Sequence, residues 1–299
     1  MTARRSITFA FAVLLVVCLL GQAATVHRLD QMRPEKTLEE VLYVPSAKVL
    51  QRLSLGYNGL LADIYWTRAV QYFGTRLSSR TKSTRYDLLY PLLDITTDLD
   101  RNLIPAYEFG ASFLTQTPPL GAGQADNAVK LLKKGVAANP EQWRLYFDLG
   151  FVYYLNLKDY AAAADAFRQA GSMPGGNPNV LPMAAASAQL GGDPRVARAL
   201  WQLTYDQASQ DLVRKNAQAH VRSMDLDDAV PYLESKVAQF RAQHGRNPAG
   251  WMEMARAGVL PGVPKDPAGD FYRLTADGHV LVQHPDKFPF ATRGIPDTE

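Results

Sequence analysis

His27, His220, His244, His279 and His284 are the first side chains to weigh for chemistry. A helical metal site needs two histidines four residues apart, or one so placed beside a glutamate, so that both leave the same face. None of the five has that spacing. His279 and His284 flank a short apolar stretch, and a metal there competes with the simpler reading of two surface histidines. Asp225-Leu226-Asp227-Asp228 has the charge density of a cation loop but neither its ligand alternation nor its closing glutamate. An acidic helix N-terminus after a short turn explains it better, because carboxylates there accept amide hydrogen bonds and oppose the dipole. Gly121-Ala122-Gly123 has no Gly-Lys-Ser/Thr after it and no strand before it, so it is no phosphate loop. Ser172 and Ser187 lack the partners that activate a hydroxyl. No catalytic set, metal or cofactor is expected, and the reading turns from an enzyme to a binding surface.

Length and composition bound that surface. The 299 residues are 47% apolar and 20% charged, ordinary for a folded chain. The net charge of +3 becomes +1 when Arg4 and Arg5 are set aside, which leaves no basic field for nucleic acid. Cys18 is the single cysteine, so the rest of the chain has no thiol, disulfide or cysteine-based metal site. Arg4-Arg5 precede the uncharged run Ile7–Leu20, and the small residues Gly21, Ala23 and Ala24 follow. This is the pattern of a signal anchor or a cleaved signal peptide over 1–26. The run is short for a spanning helix of ~20 residues, though Gly21–Val26 extends it. Positive charge before it keeps the N-terminus cytoplasmic and sends the rest outward, to a bacterial inner-membrane, single-pass topology with the bulk in the periplasm, or to the periplasm free if cleaved. A charged, proline-punctuated linker covers 27–45.

The elements that must position a surface are helices. Residues 46–102 read as a long helix carrying Val49, Leu53, Leu60, Ile64, Ala69 and Phe73, a polar loop at Leu77–Thr84, and a second helix at Tyr86–Leu99. The clearest stretch follows at Tyr146–Pro174. Leu149-Gly150 and Tyr153 precede a polar break, and Tyr160, Ala163, Phe167 and Ala170 come after it. Gly150 and Ala163 stand where two helices approach closely, and Tyr153, Tyr160 and Phe167 fill the space around them. The stretch resembles one tetratricopeptide repeat (TPR), a helix–turn–helix unit. The same spacing recurs at Phe109-Gly110 and Phe113 with Ala128, Leu132, Gly135 and Pro140, and again at Ala185 with Ala197, Trp201 and Thr204. The resemblance implies a TPR-like α-solenoid over 103–244, in units 103–142, 143–177, 178–211 and 212–244. The last unit would be two helices, Leu212–Met224 and Ala229–Gln243, separated by a turn at Asp225–Asp228.

In TPR arrays the first helix of each unit lines a groove that holds a peptide or partner helix. Register carries those inward positions to Ile104, Tyr107, Ala111 and Leu114, then to Arg144, Phe147, Phe151 and Tyr154, then to Asn179, Ala186 and Gln189. Aromatic residues beside an arginine are the types that anchor interfaces. Phe147 and Phe151 also fit a place in the core between helices, whereas Tyr107, Arg144 and Tyr154 are expected to expose their tips.

Residues 245–299 read differently. Gly245-Arg246-Asn247-Pro248 breaks the helix, Trp251–Ala257 is short, and Phe271–Leu274 and His279–Gln283 alternate around Asp277-Gly278, a hairpin signal. With Val263-Pro264-Lys265-Asp266-Pro267-Ala268-Gly269, the segment resembles the globular end of the major pseudopilins of type II secretion. It lacks their N-terminal pilin helix, and the likeness implies a small α+β module rather than polymerisation. Overall the sequence predicts a mainly α, non-enzymatic scaffold, anchored outside the cytoplasm, that binds a protein partner in a bacterial envelope complex of the secretion-system or pilus type. The alternative is a periplasmic carbohydrate- or peptidoglycan-binding protein that stacks sugars on the groove aromatics.

Overall fold

The computed structural model describes residues 21–22, 46–78 and 85–296. The N-terminal run Ile7–Leu20, the linker at 27–45 and most of the polar loop ending at Thr84 lie outside the described residues. Among those described, no helix is long and apolar enough to cross a membrane. The chain divides into two compact units, Met1–Leu53 and Ser54–Glu299. The first contributes one described helix, α1 (Ala47–Leu53).

The second unit is mainly helical. Its helices are α2 (Asn58–Ser78), α3 (Leu89–Leu99), α4 (Ile104–Thr115), α5 (Ala125–Ala138), α6 (Trp143–Phe151), α7 (Tyr160–Ser172), α8 (Leu181–Leu190), α9 (Pro194–Gln207), α10 (Asp211–His244) and α11 (Trp251–Arg256). A π-helical turn, Val152–Leu157, prolongs α6, and a 3₁₀ turn, Pro178–Val180, precedes α8. Each of α2 to α10 packs chiefly on its neighbour in sequence, with further contacts of α3 on α5 and α4 on α6. The expected long helix from Ser46 is interrupted: Leu55 and Gly56 take positive φ, 51° and 95°, between α1 and α2. Within α2 the buried face is Ala62, Tyr65, Ala69, Tyr72 and Phe73, while Leu60 and Ile64 are exposed.

Local chemistry explains the punctuation. Asp159 accepts from the Ala162 amide at 3.0 Å and Asp193 from the Val196 amide at 3.0 Å. Each satisfies a first-turn donor that has no partner inside the helix. Pro194 occupies the first position of α9, where its missing N–H costs nothing. Close approach needs glycine at two places. A Cβ on Gly135 would stand 2.8 Å from the Tyr107 ring, and one on Gly150 would stand 2.5 Å from the Phe167 ring. The small residue of one helix thus lies under an aromatic ring of its partner, and any side chain there pushes the pair apart.

The unit 212–244 is a correction. No turn forms at Asp225–Asp228: α10 runs unbroken for 34 residues with Pro231 inside it. The carboxylates are not helix caps. Arg198 of α9 reaches across to Asp225 and Asp228, and Asp227 Oδ1 accepts from the Thr292 and Arg293 amides at 2.7 and 2.8 Å. Outside partners consume the acid groups, so the backbone has no need to turn there.

One half of α10 belongs to each of two cores. Ala217 and Met224 join Phe167, Ala185, Leu200 and Trp201 of the preceding helices. Leu226, Val230, Leu233, Val237 and Phe240, at alternating spacings of four and three, form a stripe against Trp251, Met254, Tyr272, Val280 and Phe288. Two short strands complete that second core: β1 (Arg273–Leu274) pairs antiparallel with β2 (Val280–Leu281), Arg273 opposite Leu281. Trp251 Nε1 donates to the Tyr272 carbonyl at 2.7 Å. Buried Asp266 holds the preceding turn by accepting from the Ala268 and Asp270 amides at 2.9 and 3.0 Å.

Candidate functional site

A pocket lined by two carboxyl groups, from residues 40 apart, lies between α4 and α6. Its volume is about 220 Å³. Glu108, Ala111, Ser112 and Thr115 come from α4, and Asp148 and Phe151 from α6; Val152, Leu155 and Asn156 come from the π-helical turn. Asn156 Nδ2 donates to the Thr115 carbonyl at 3.2 Å and links the two walls. The π-helical turn is wider than an α turn, a distortion frequent at functional sites.

Glu108 and Asp148 are 40 residues apart, as are Ala111 and Phe151, and Thr115 and Leu155. Two consecutive helix pairs therefore present equivalent positions to one space. Asp148 titrates at about 7, well above the ordinary carboxyl range. Burial is the main cause, followed by the negative charge of Glu108, with Arg144 opposing both. Glu108 Oε1 is enclosed and has no hydrogen-bond partner among the described residues.

Two further acid pairs, on other helices of the same unit, have a cation between them. Lys134 of α5 lies 2.7 Å from both Asp94 and Asp98 of α3. Arg198 of α9 bridges Asp225 and Asp228 of α10. No lysine or arginine among the described residues makes an ion pair with Glu108 or Asp148. Arg144, one turn before Asp148, is exposed and lies 5.6 Å from the Trp143 ring centroid.

The expected groove residues divide. Ala111 and Phe151 line the pocket. Tyr107 and Leu114 do not: both are fully buried. The expected exposed tip of Tyr107 is corrected, since its ring covers Gly135 and burial pushes its hydroxyl up to about 12. The reason is helical phase. Residues 107, 111 and 114 form one stripe, and 108, 112 and 115 form the next, about 100° further round. The first stripe meets the neighbouring helices and the second opens on the pocket, with Ala111 at their border.

Phe147 is half-buried in a cluster with Phe151 and Phe167, at centroid distances of 4.7 and 6.1 Å. Tyr154 is half-buried against Tyr160 at 5.5 Å. Ile104 and Ala186 are half-buried, and Asn179 and Gln189 are exposed; none of the four lines this pocket. Sequence reasoning missed Glu108 and Asp148. Their one available signal was the shared 40-residue interval.

The histidines are dispersed. His220 stacks between Trp201 and Phe290, at 3.8 and 3.6 Å, and burial lowers its titration to about 4. His279 approaches Glu234 at 3.4 Å, and His244 Nδ1 is 3.1 Å from the Phe240 carbonyl. No family model, no curated protein and no solved structure matches the chain.

Proposed function

We propose that the chain is a non-enzymatic scaffold. In this reading residues 103–211, three of the four expected units, are a TPR-like α-solenoid, the N-terminal segment tethers it to the inner membrane of a bacterium, and the array stands outside the cytoplasm. Its task is to hold a protein partner during assembly of an envelope complex of the secretion-system or pilus type. The C-terminal pseudopilin-like module fits such a setting.

The observation that carries this reading is the pocket between α4 and α6. Consecutive helix pairs bring equivalent positions, 40 residues apart, to one cleft. A stacked array offers a partner segment such a repeated face. Half-buried Phe147, Phe151 and Tyr154 lie along α6 and its extension, with exposed Arg144 at the start.

Ser112→Trp tests it, because Ser112 is exposed and lines the pocket. An indole there fills the cleft without entering the core. Affinity purification from detergent extract with the parent should return a defined envelope protein. The variant, with equal helix content by circular dichroism, should lose it. Undiminished capture would move the binding surface elsewhere. Binding of the purified chain to cell wall with no protein partner would instead favour the carbohydrate reading. The topology has its own check: a reporter enzyme active only in the periplasm, fused after Glu299, should be active.

A further inference from the structure

We propose that the pocket between α4 and α6 receives a basic side chain of the partner, a lysine ammonium or an arginine guanidinium, seated between Glu108 and Asp148. This rests on the scaffold reading above and names what that partner must supply.

Three observations converge on it. Glu108 Oε1 is enclosed and accepts no hydrogen bond among the described residues. Buried carboxylate oxygens are ordinarily paired, and the half-buried residue that carries this one lines the cleft. The chain also neutralises its comparable pairs itself, with Lys134 at Asp94 and Asp98 and Arg198 at Asp225 and Asp228. At Glu108 and Asp148 no lysine or arginine of the described residues makes an ion pair, and Arg144, whose charge is felt at Asp148, lies over the Trp143 ring. Finally, the walls suit an organic cation. Ala111, Phe151, Val152 and Leu155 offer apolar contact to a methylene stem, and the two acidic residues share the same lining. Ser112, Thr115 and Asn156 add neutral oxygens to the two carboxylates, so calcium and magnesium are the competitors that the test includes.

The test uses side-chain mimics on the full chain in detergent at pH 8, above the titration of Asp148. n-Butylammonium and n-butylguanidinium are titrated by calorimetry and by NMR, with 1-butanol as the uncharged control. Saturable binding of at least one cation is expected, with no saturation by butanol. Glu108→Gln and Asp148→Asn, isosteric and neutral, should each weaken it tenfold or more, and Ser112→Trp should abolish it. Equal binding of butanol, or no binding of either cation, would overturn the proposal. So would displacement of butylammonium by calcium or magnesium chloride at equal concentration.

The scaffold reading fails separately. If Ser112→Trp loses the protein partner while Glu108→Gln with Asp148→Asn keeps it, the groove is used and the cation inference is wrong. If butylammonium binds as expected but Ser112→Trp keeps the partner, the site takes cations but no partner residue enters it, which overturns the claim about the partner.

Discussion

Two kinds of acid pair occur within one run of helices. Asp94 with Asp98, and Asp225 with Asp228, sit about one turn apart on a single helix, and a helix packed against it sends a cation between them. Glu108 and Asp148 come from two helices, line one cleft and make no ion pair with a cation of the described residues. The first kind closes a contact between neighbours. The second keeps like charges together at a cost to folding, and Asp148 responds by holding its proton up to about pH 7. Proteins keep such unfavourable arrangements mostly where a ligand uses them.

The largest test of this difference is Asp148→Asn. The carboxyl titrates higher in the folded chain, about 7, than its ordinary 3.8, so the folded state keeps a proton that the unfolded state loses between those values. Stability from this group is therefore full below pH 4, falls as pH rises to about 7 and is flat above it. An uncharged amide at this position would carry no such slope. Urea unfolding should show the variant more stable than the parent by roughly 2–4 kcal/mol at pH 8, with the gap closing towards pH 4.5. A variant less stable at pH 8 would mean that the carboxylate is satisfied in the fold.

Asp227 presents a third way to neutralise a carboxylate, through two backbone amides of the C-terminal tail. Asp227→Ala should cost about 2 kcal/mol by the same measurement and should speed hydrogen exchange at Thr292 and Arg293. Unchanged exchange there would show that the tail is held by other contacts.

Converting a paired site into an unpaired one gives a smaller effect. Lys134→Met leaves Asp94 and Asp98 facing each other, half exposed, and should cost about 1 kcal/mol. Equal stability of variant and parent would remove the contrast with the cleft. Arg198→Met should cost least, about 0.5 kcal/mol, because the Asp228 side chain is 78% exposed. Its effect should vanish in 1 M sodium chloride, where the screening length is about 3 Å. A loss that survives that salt would mean the guanidinium acts by packing instead.

What could be read in the sequence was packing. Gly110, Gly135 and Gly150 marked close helix approaches because no other residue fits under Leu93, Tyr107 or Phe167. The interval from Phe109-Gly110 to Leu149-Gly150 located the helix pairs for the same reason. Charge was harder to place. A lone Asp148 in an amphipathic helix looks identical whether it meets water or a cleft, since the difference is one step of about 100° round the axis. The same step misplaced Tyr107. At Asp225–Asp228 the local pattern favours a capped helix start, and only Arg198 and the tail amides, 27 or more residues away, decide otherwise. Pro231 lies inside α10 without ending it, although a proline in a helix interior normally does.

The continuity of α10 has a consequence for how the second unit comes apart. Proline at 231 leaves the Asp227 carbonyl without its usual helical donor, so the rod is locally weakened where its second apolar stripe begins. Leu226, Val230 and Leu233 hold that stretch in one core, and Met224, two residues before Leu226, is fixed in the other. Neither core can lose its portion of the rod without fraying the other's. The last helix pair and the hairpin module are thereby one cooperative element, and heat or denaturant should release them in a single step.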